Sequence, residues 1–511
     1  MAKTFSGFWI ALVFLVSPTA APFIVGSAHT RLSQTTQRQL LRLKTTLRVG
    51  AVDRFSLSPD DKSLLIVTRN HEIQVWDLTA AKVKATINGF PQSPIVEWSP
   101  TGDRFLTITQ KKAAAVWDAR TGDKLYDLPE SFGLGLASGP SLLLQAFSNL
   151  NWSPDGRWLA VTQSKKTTAV WNLQTGRPQC QTPESTYEVN ARSWSPEPGI
   201  LMVVSWDHGL KSALGLAKSE LQLWDVGTCN SRFVSRMNGH VDAEFTTDGA
   251  YILTKPDPLS SADNREPPQL WNATTGNAYL AFQSVPCPRK NCGPDTAILS
   301  PDGKLAAVGY IPSRIEIWDI QSGRVLGSIH NDQWDEVGIK GFSPDSRLLA
   351  VYREHSKSLT SFKTISSIEL YDAQRAALRT TLSGENMRLS AHQIVWRRDS
   401  GMVVTAGGSQ GYEGKIWDVS TGKLIATLPL IAKEGHTPFT APYFDDLDRL
   451  SFHPTLPLLI GRSNKLMKIW NPENGNLLQT IGLDRGVWSE NRQLMISLSK
   501  DEKSIEIWEL S

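Results

Sequence analysis

Apolar and polar residues alternate at period two in short runs that recur along the whole chain. Arg314-Ile315-Glu316-Ile317-Trp318 is a clean case, and alternation of this kind marks a half-buried strand rather than a helix. Ahead of it, Ser300-Pro301-Asp302-Gly303 reads as a tight turn. Pro presets φ, Asp bonds to nearby backbone, and Gly tolerates positive φ. A β-prone run, residues 304–308, follows that turn, and Gln321-Ser322-Gly323 then leads into another strand, residues 324–329. With the strand before Ser300, the pattern predicts four antiparallel strands per copy. One copy is too small to bury its own faces, so the copies must stack.

The same grammar recurs to the C-terminus. Ten runs end in an aromatic and an acid or amide: Trp76-Asp77, Trp117-Asp118, Trp171-Asn172, Trp224-Asp225, Trp271-Asn272, Trp318-Asp319, Tyr371-Asp372, Trp417-Asp418, Trp470-Asn471 and Trp508-Glu509. First-turn relatives include Ser58-Pro59-Asp60, Ser153-Pro154-Asp155-Gly156 and Ser343-Pro344-Asp345, and second-turn relatives include Thr121-Gly122, Thr175-Gly176 and Thr421-Gly422. On these residues the chain resembles the WD-repeat β-propellers, with the Ser-Pro-Asp-Gly turns of exported bacterial members. The resemblance covers about residue 40 to the end and implies an all-β ring of four-stranded blades. It implies no particular activity, because this fold hosts unrelated roles. The Gly-His that precedes the first strand in typical members is matched only by Gly239-His240 and Gly435-His436. The tryptophans are therefore expected to act chiefly as apolar wedges between blades.

The last copy has its Trp strand but no fourth strand after it. Residues 39–49 read like such a strand, which predicts that the N-terminal side pairs onto the last blade and hides open strand edges. One closed ring of about ten blades is expected; the alternative is a seven- or eight-bladed ring with the remaining copies in a partial second one.

Composition changes this picture little. The net charge of +3 is spread along the chain, so no basic patch argues for nucleic acid. The N-terminus matters more. After Lys3 no Lys, Arg, Asp or Glu occurs until Arg31, and residues 8–16 form a compact apolar run followed by Ser17-Pro18-Thr19-Ala20-Ala21. Residues 1–28 read as a secretory signal peptide, or as an uncleaved membrane anchor. Residues 29–511 are then the propeller, placed outside the cytoplasm (periplasmic or secreted), with membrane contact only through an anchor. Four cysteines fit such a compartment. They permit three pairings, of which Cys287–Cys292 and Cys180–Cys229 are favoured over free thiols.

Insertions fall unevenly. Connections carrying Ser-Pro-Asp-Gly and Thr-Gly stay short, and both kinds belong on one face of the disc. The long connections, residues 207–219, 255–267, 353–366, 129–146, 283–294 and 430–448, belong on the other, and insertions concentrated on one face mark a binding side. Lys211, Lys218, Arg265, Arg289, Lys290, Arg353, Phe362, Tyr412, Phe439, Tyr443 and Phe444 are the candidate contacts there, being long cations and aromatics of the types enriched at hot spots.

Catalytic signals are weak. Gly407-Gly408-Ser409-Gln410-Gly411 matches G-x-S-x-G, but a nucleophile elbow needs a strand-to-helix turn, and this stretch joins two strands. No phosphate loop or zinc-ligand spacing occurs, so no cofactor, metal or catalytic residue is assigned. The expected function is a non-catalytic scaffold that binds a protein or peptide. The alternatives are an exported propeller hydrolase or lyase with a site in the central channel, and an intracellular assembly scaffold.

Overall fold

The computed structural model describes residues 40–109, 114–128, 150–207, 217–256, 266–282, 293–311, 314–330, 336–356, 364–383, 394–407, 413–429, 449–462, 466–482, 484–489 and 493–510. These residues form forty strands in ten antiparallel four-stranded sheets. In chain order, blades 1 to 9 span residues 52–87, 95–128, 150–181, 188–238, 241–281, 293–330, 336–383, 394–429 and 449–482. Blade 10 takes three strands from residues 484–510 and its outer strand, Leu41–Arg48, from the other end of the chain.

Ten apolar clusters lie between consecutive blades, one at each junction, including the junction of blade 10 with blade 1. The core is therefore not one mass but ten seams, and the blades close one ring rather than two. The period-two pattern explains this. Alternate residues of each strand point to opposite neighbours, so second strands such as Ser63–Thr68 are buried on both faces.

Closure is antiparallel, with Leu41 opposite Leu510 and Leu47 opposite Ile505. Gln479 of blade 9 clamps it: its Oε1 accepts from Leu41 N at 2.9 Å, and its Nε2 donates to Leu41 O at 3.2 Å. Lys44 pairs with Glu509 at 2.9 Å, and Arg69 of blade 1 pairs with Glu502 of blade 10.

Candidate interaction face

One face carries the short turns, and its side chains are spent on the turns themselves. Ser58 Oγ donates to Asp60 Oδ1 at 2.6 Å and accepts from Ser63 N at 2.9 Å. Ser153 with Asp155, Ser300 with Asp302 and Ser343 with Asp345 repeat the first bond. The acid or amide after each aromatic caps the second turn: Asp77 Oδ1 accepts from Thr79 N and Ala80 N at 2.8 and 2.9 Å. Asn172 and Asn272 do the same. These Asx turns give the recurrent Asp or Asn a physical cause. In blade 10 no such turn follows, and Glu509 instead meets Lys44.

A crevice of about 480 Å³ opens on this face between blades 6 and 7, lined by Asp302, Asp319, Asp345 and Asp372 together with Lys304, Arg347 and Arg379. Bonds from Ser322 to Asp319 and from Arg379 to Asp372 hold both carboxyls below the usual range. Burial works upward on Asp302 and Asp345, but the bonds from Ser300, Lys304 N and Ser346 to the first, and from Ser343, Arg347 N and Ser400 to the second, together hold both low. Carboxylates held ionised by their own turns are poor general acids at neutral pH.

The long connections all begin and end on the opposite face, because they join second to third strands or one blade to the next. Of the candidate contacts there, Lys211, Arg265, Arg289, Lys290, Phe362, Tyr412, Phe439, Tyr443 and Phe444 lie outside the described residues. Lys218 opens the third strand of blade 4 and is exposed. Arg353 is not the exposed cation expected. Its Nε donates to Glu369 Oε2 at 2.9 Å, and both side chains are 12% exposed. The stretch 353–366 is also less of a loop than expected, since strands Leu348–Ser356 and Thr364–Asp372 run into it and pair as far as Ser356 with Thr364.

Cys180 and Cys229, the expected pair, stand on adjacent blades as separate thiols. Both sulfurs face the Val226 carbonyl, at 3.8 and 3.7 Å. Cys287 and Cys292 lie outside the described residues, as do residues 1–28.

The ten aromatics share one placement: each packs in the seam toward the preceding blade. Several are more than wedges. Indole Nε1 of Trp117, Trp271, Trp417 and Trp508 donates to a second-strand hydroxyl, on Thr107, Thr254, Thr405 and Ser497, at 2.9 to 3.0 Å. Trp76 and Trp224 donate instead to a glutamine two residues earlier, Gln74 at 2.9 Å and Gln222 at 3.1 Å. The sequence holds this signal, because the hydroxyl lies opposite the residue two before the Trp. The His240 ring nitrogen lies 3.0 Å from the Asp207 carbonyl.

No protein-family profile matches the chain. An uncharacterized WD repeat-containing protein of Deinococcus radiodurans is 26% identical over 202 residues, covering 36% of this chain and 72% of the relative. TipD of Dictyostelium discoideum is 22% identical over 285 residues, 55% of this chain and 41% of its own length. The chain thus spans about two fifths of tipD. The chain folds as a ten-bladed β-propeller and is similar to WD-repeat proteins. Among solved structures it is similar to a eukaryotic initiation factor, at 16% identity and a TM-score of 0.46 over 74% of this chain and 88% of that one. The C-terminal WD40 domain of Sif2 gives 13% identity and a TM-score of 0.36 over 74% and 97%.

A WD-repeat propeller supports, in general, a protein-binding scaffold. In this propeller the strands flanking the G-x-S-x-G match, Met402–Gly407 and Glu413–Asp418, pair antiparallel. The match therefore joins two strands, and residues 408–412 lie outside the described residues. Among the described residues no group of three or more His, Cys, Asp or Glu is placed to hold a metal. No helix among them is long and apolar enough to cross a membrane.

Proposed function

We propose that this propeller is an exported, non-catalytic scaffold that binds a protein or peptide through the face carrying its long connections. The unequal chemistry of the two faces supports the reading. One face is made of short turns whose hydroxyls, carboxylates and amides are consumed in local hydrogen bonds. The other receives every long connection, and insertions set on a rigid repeat frame are where such arrays recognise partners. The tied carboxylates around the 480 Å³ crevice weigh against a catalytic use of the short-turn face.

Proximity labelling tests the assignment. Variants with residues 208–216, 257–265 and 431–447 each replaced by a short Gly-Ser link are compared with intact protein and with a variant altered only in the short turns. Loss of specific labelling on trimming the long connections alone supports the face; equal labelling by trimmed and intact proteins rejects it. Export has its own test. An intact mass lacking about 28 residues marks a cleaved signal, whereas a full-length product in the cytosolic fraction rejects export.

A further inference from the structure

At seven seams two backbone positions meet in the same way. One is the left-handed residue of the turn after the third strand. The other lies on the outer strand of the preceding blade. A Cβ on Gly122 would lie 2.4 Å from Ala85 Cβ, and one on Gly475 would lie 2.2 Å from Ala426 Cβ. Gly176 meets Tyr126, Gly276 meets Phe233, Gly323 meets Leu280 and Gly422 meets Thr380. At the junction of blades 6 and 7 the roles reverse, with Ala376 in the turn and Gly327 on the strand. At each of these seams one of the two residues is glycine, because the approach leaves no room for two side chains.

Two seams carry a side chain at both positions: that of blades 10 and 1, with Ala81 in the turn and Thr45 on the strand, and that of blades 3 and 4. Cys229 stands at the turn position, with φ 57°, a region disfavoured for residues with a Cβ. Cys180 stands at the strand position, opposite Val170, as Tyr126 stands opposite Val116 and Ala426 opposite Ile416. What sets this seam apart is that both side chains are thiols. Cys229 Sγ lies 3.3 Å from Gln179 O, and both sulfurs converge on Val226 O.

We propose that Cys180 and Cys229 form a disulfide that staples blade 3 to blade 4. A covalent S–S bond joins two sulfurs that already converge on one carbonyl across the seam. The reaction needs a disulfide oxidant, such as glutathione disulfide or an oxidoreductase. Thiolate Cys229, on the turn, attacks the oxidant and expels one thiolate. Cys180 then attacks the Cys229 sulfur and expels the second. Two protein thiols lose two electrons, and the oxidant's disulfide becomes two thiols. Burial pushes the Cys180 thiol up to about 12, which suits a structural bridge better than a reactive sensor.

The purified full-length protein is incubated with glutathione disulfide, denatured, capped with N-ethylmaleimide and digested for mass spectrometry. A peptide joining Cys180 to Cys229 is expected. So is a rise in melting temperature of about 5 °C, reversed by dithiothreitol, since the bridge closes a loop of moderate length in a large chain. Cys229→Gly and Cys180→Ala install residues that other blades carry at these positions, so each should fold and melt like the reduced protein with no response to oxidant. Absence of the linked peptide from oxidised wild type, linkage of either cysteine to Cys287 or Cys292, or an undiminished thermal shift in both variants would overturn the proposal.

Discussion

Blades 2 and 7 fill the same position with different chemistry. In blade 2, Trp117 donates to the Thr107 hydroxyl at 2.9 Å and stacks on Phe105 at 6.3 Å, with planes 8° apart. In blade 7, Tyr371 donates to Glu369 at 2.6 Å, and the Arg353 guanidinium bonds both, at 2.9 Å to the carboxylate and 3.3 Å to the phenol. Burial, with Glu369 beside it, pushes the Tyr371 phenol up to about 12. A neutral hydroxyl satisfies an indole outright. A phenol on a carboxylate brings a charge into the seam, and that charge must be balanced. Blade 2 has a carboxylate without such balance: Glu97 Oε2 is buried with no hydrogen-bond partner, and desolvation raises its carboxyl to about 7. Where blade 7 supplies a cation, blade 2 supplies a proton.

The largest break expected in this comparison is Trp117→Ala. It removes the stacked ring and its hydrogen bond and should lower stability by about 3–4 kcal/mol, read as a fall in the urea midpoint. A loss under about 1 kcal/mol would mean the seam does not depend on the aromatic. Arg353→Met comes next. It strands a mostly buried carboxylate at about 2–3 kcal/mol, and adding Glu369→Gln should recover most of the loss. If the double variant is no better than the single, the two residues are not coupled and the contrast between the blades fails.

The blades were legible because turn residues, period two and the terminal aromatic repeat the same local rule in each copy, so one misread copy cannot hide the array. The seams were less legible. Arg353 looked like an exposed cation because nothing within its strand reveals Glu369 on the neighbouring one. The clue was indirect: Glu369 stands two residues before Tyr371, where Gln74 and Gln222 stand before their tryptophans. There Tyr371 donates to an acid where Trp76 and Trp224 donate to amides. Cys229 was likewise readable as the residue in the glycine slot of a Thr-Gly turn and Cys180 as its favoured partner, but the strand position that Cys180 takes needs the cross-blade register. The long connections carry no repeat signal at all, so their aromatics and cations could be nominated by type but not by contact.

Glu97→Gln sharpens the comparison through pH. The folded carboxyl titrates at about 7, above its ordinary 4.5. Stability from this group is therefore full below about 4.5 and lost as pH rises through about 7. Wild type should weaken between pH 5 and 8 by about 1–2 kcal/mol more than the variant, whose amide cannot ionise. Matching pH slopes in the two proteins would show that Glu97 carries no buried charge at alkaline pH.

The smallest expected effect isolates the hydroxyl itself. Thr107→Val keeps shape and burial but leaves the Trp117 N–H without its acceptor, at about 1 kcal/mol. Here blade 2 should differ from blade 1, where the indole bonds Gln74 of its own strand and Ile66 lies opposite. Substituting Ile66→Val there should leave the indole N–H bonded, detectable as an unshifted indole resonance, while Thr107→Val shifts that of Trp117. If the Trp117 resonance also stays put, the second-strand hydroxyl is not its acceptor, and Trp117 holds its seam by apolar contact alone.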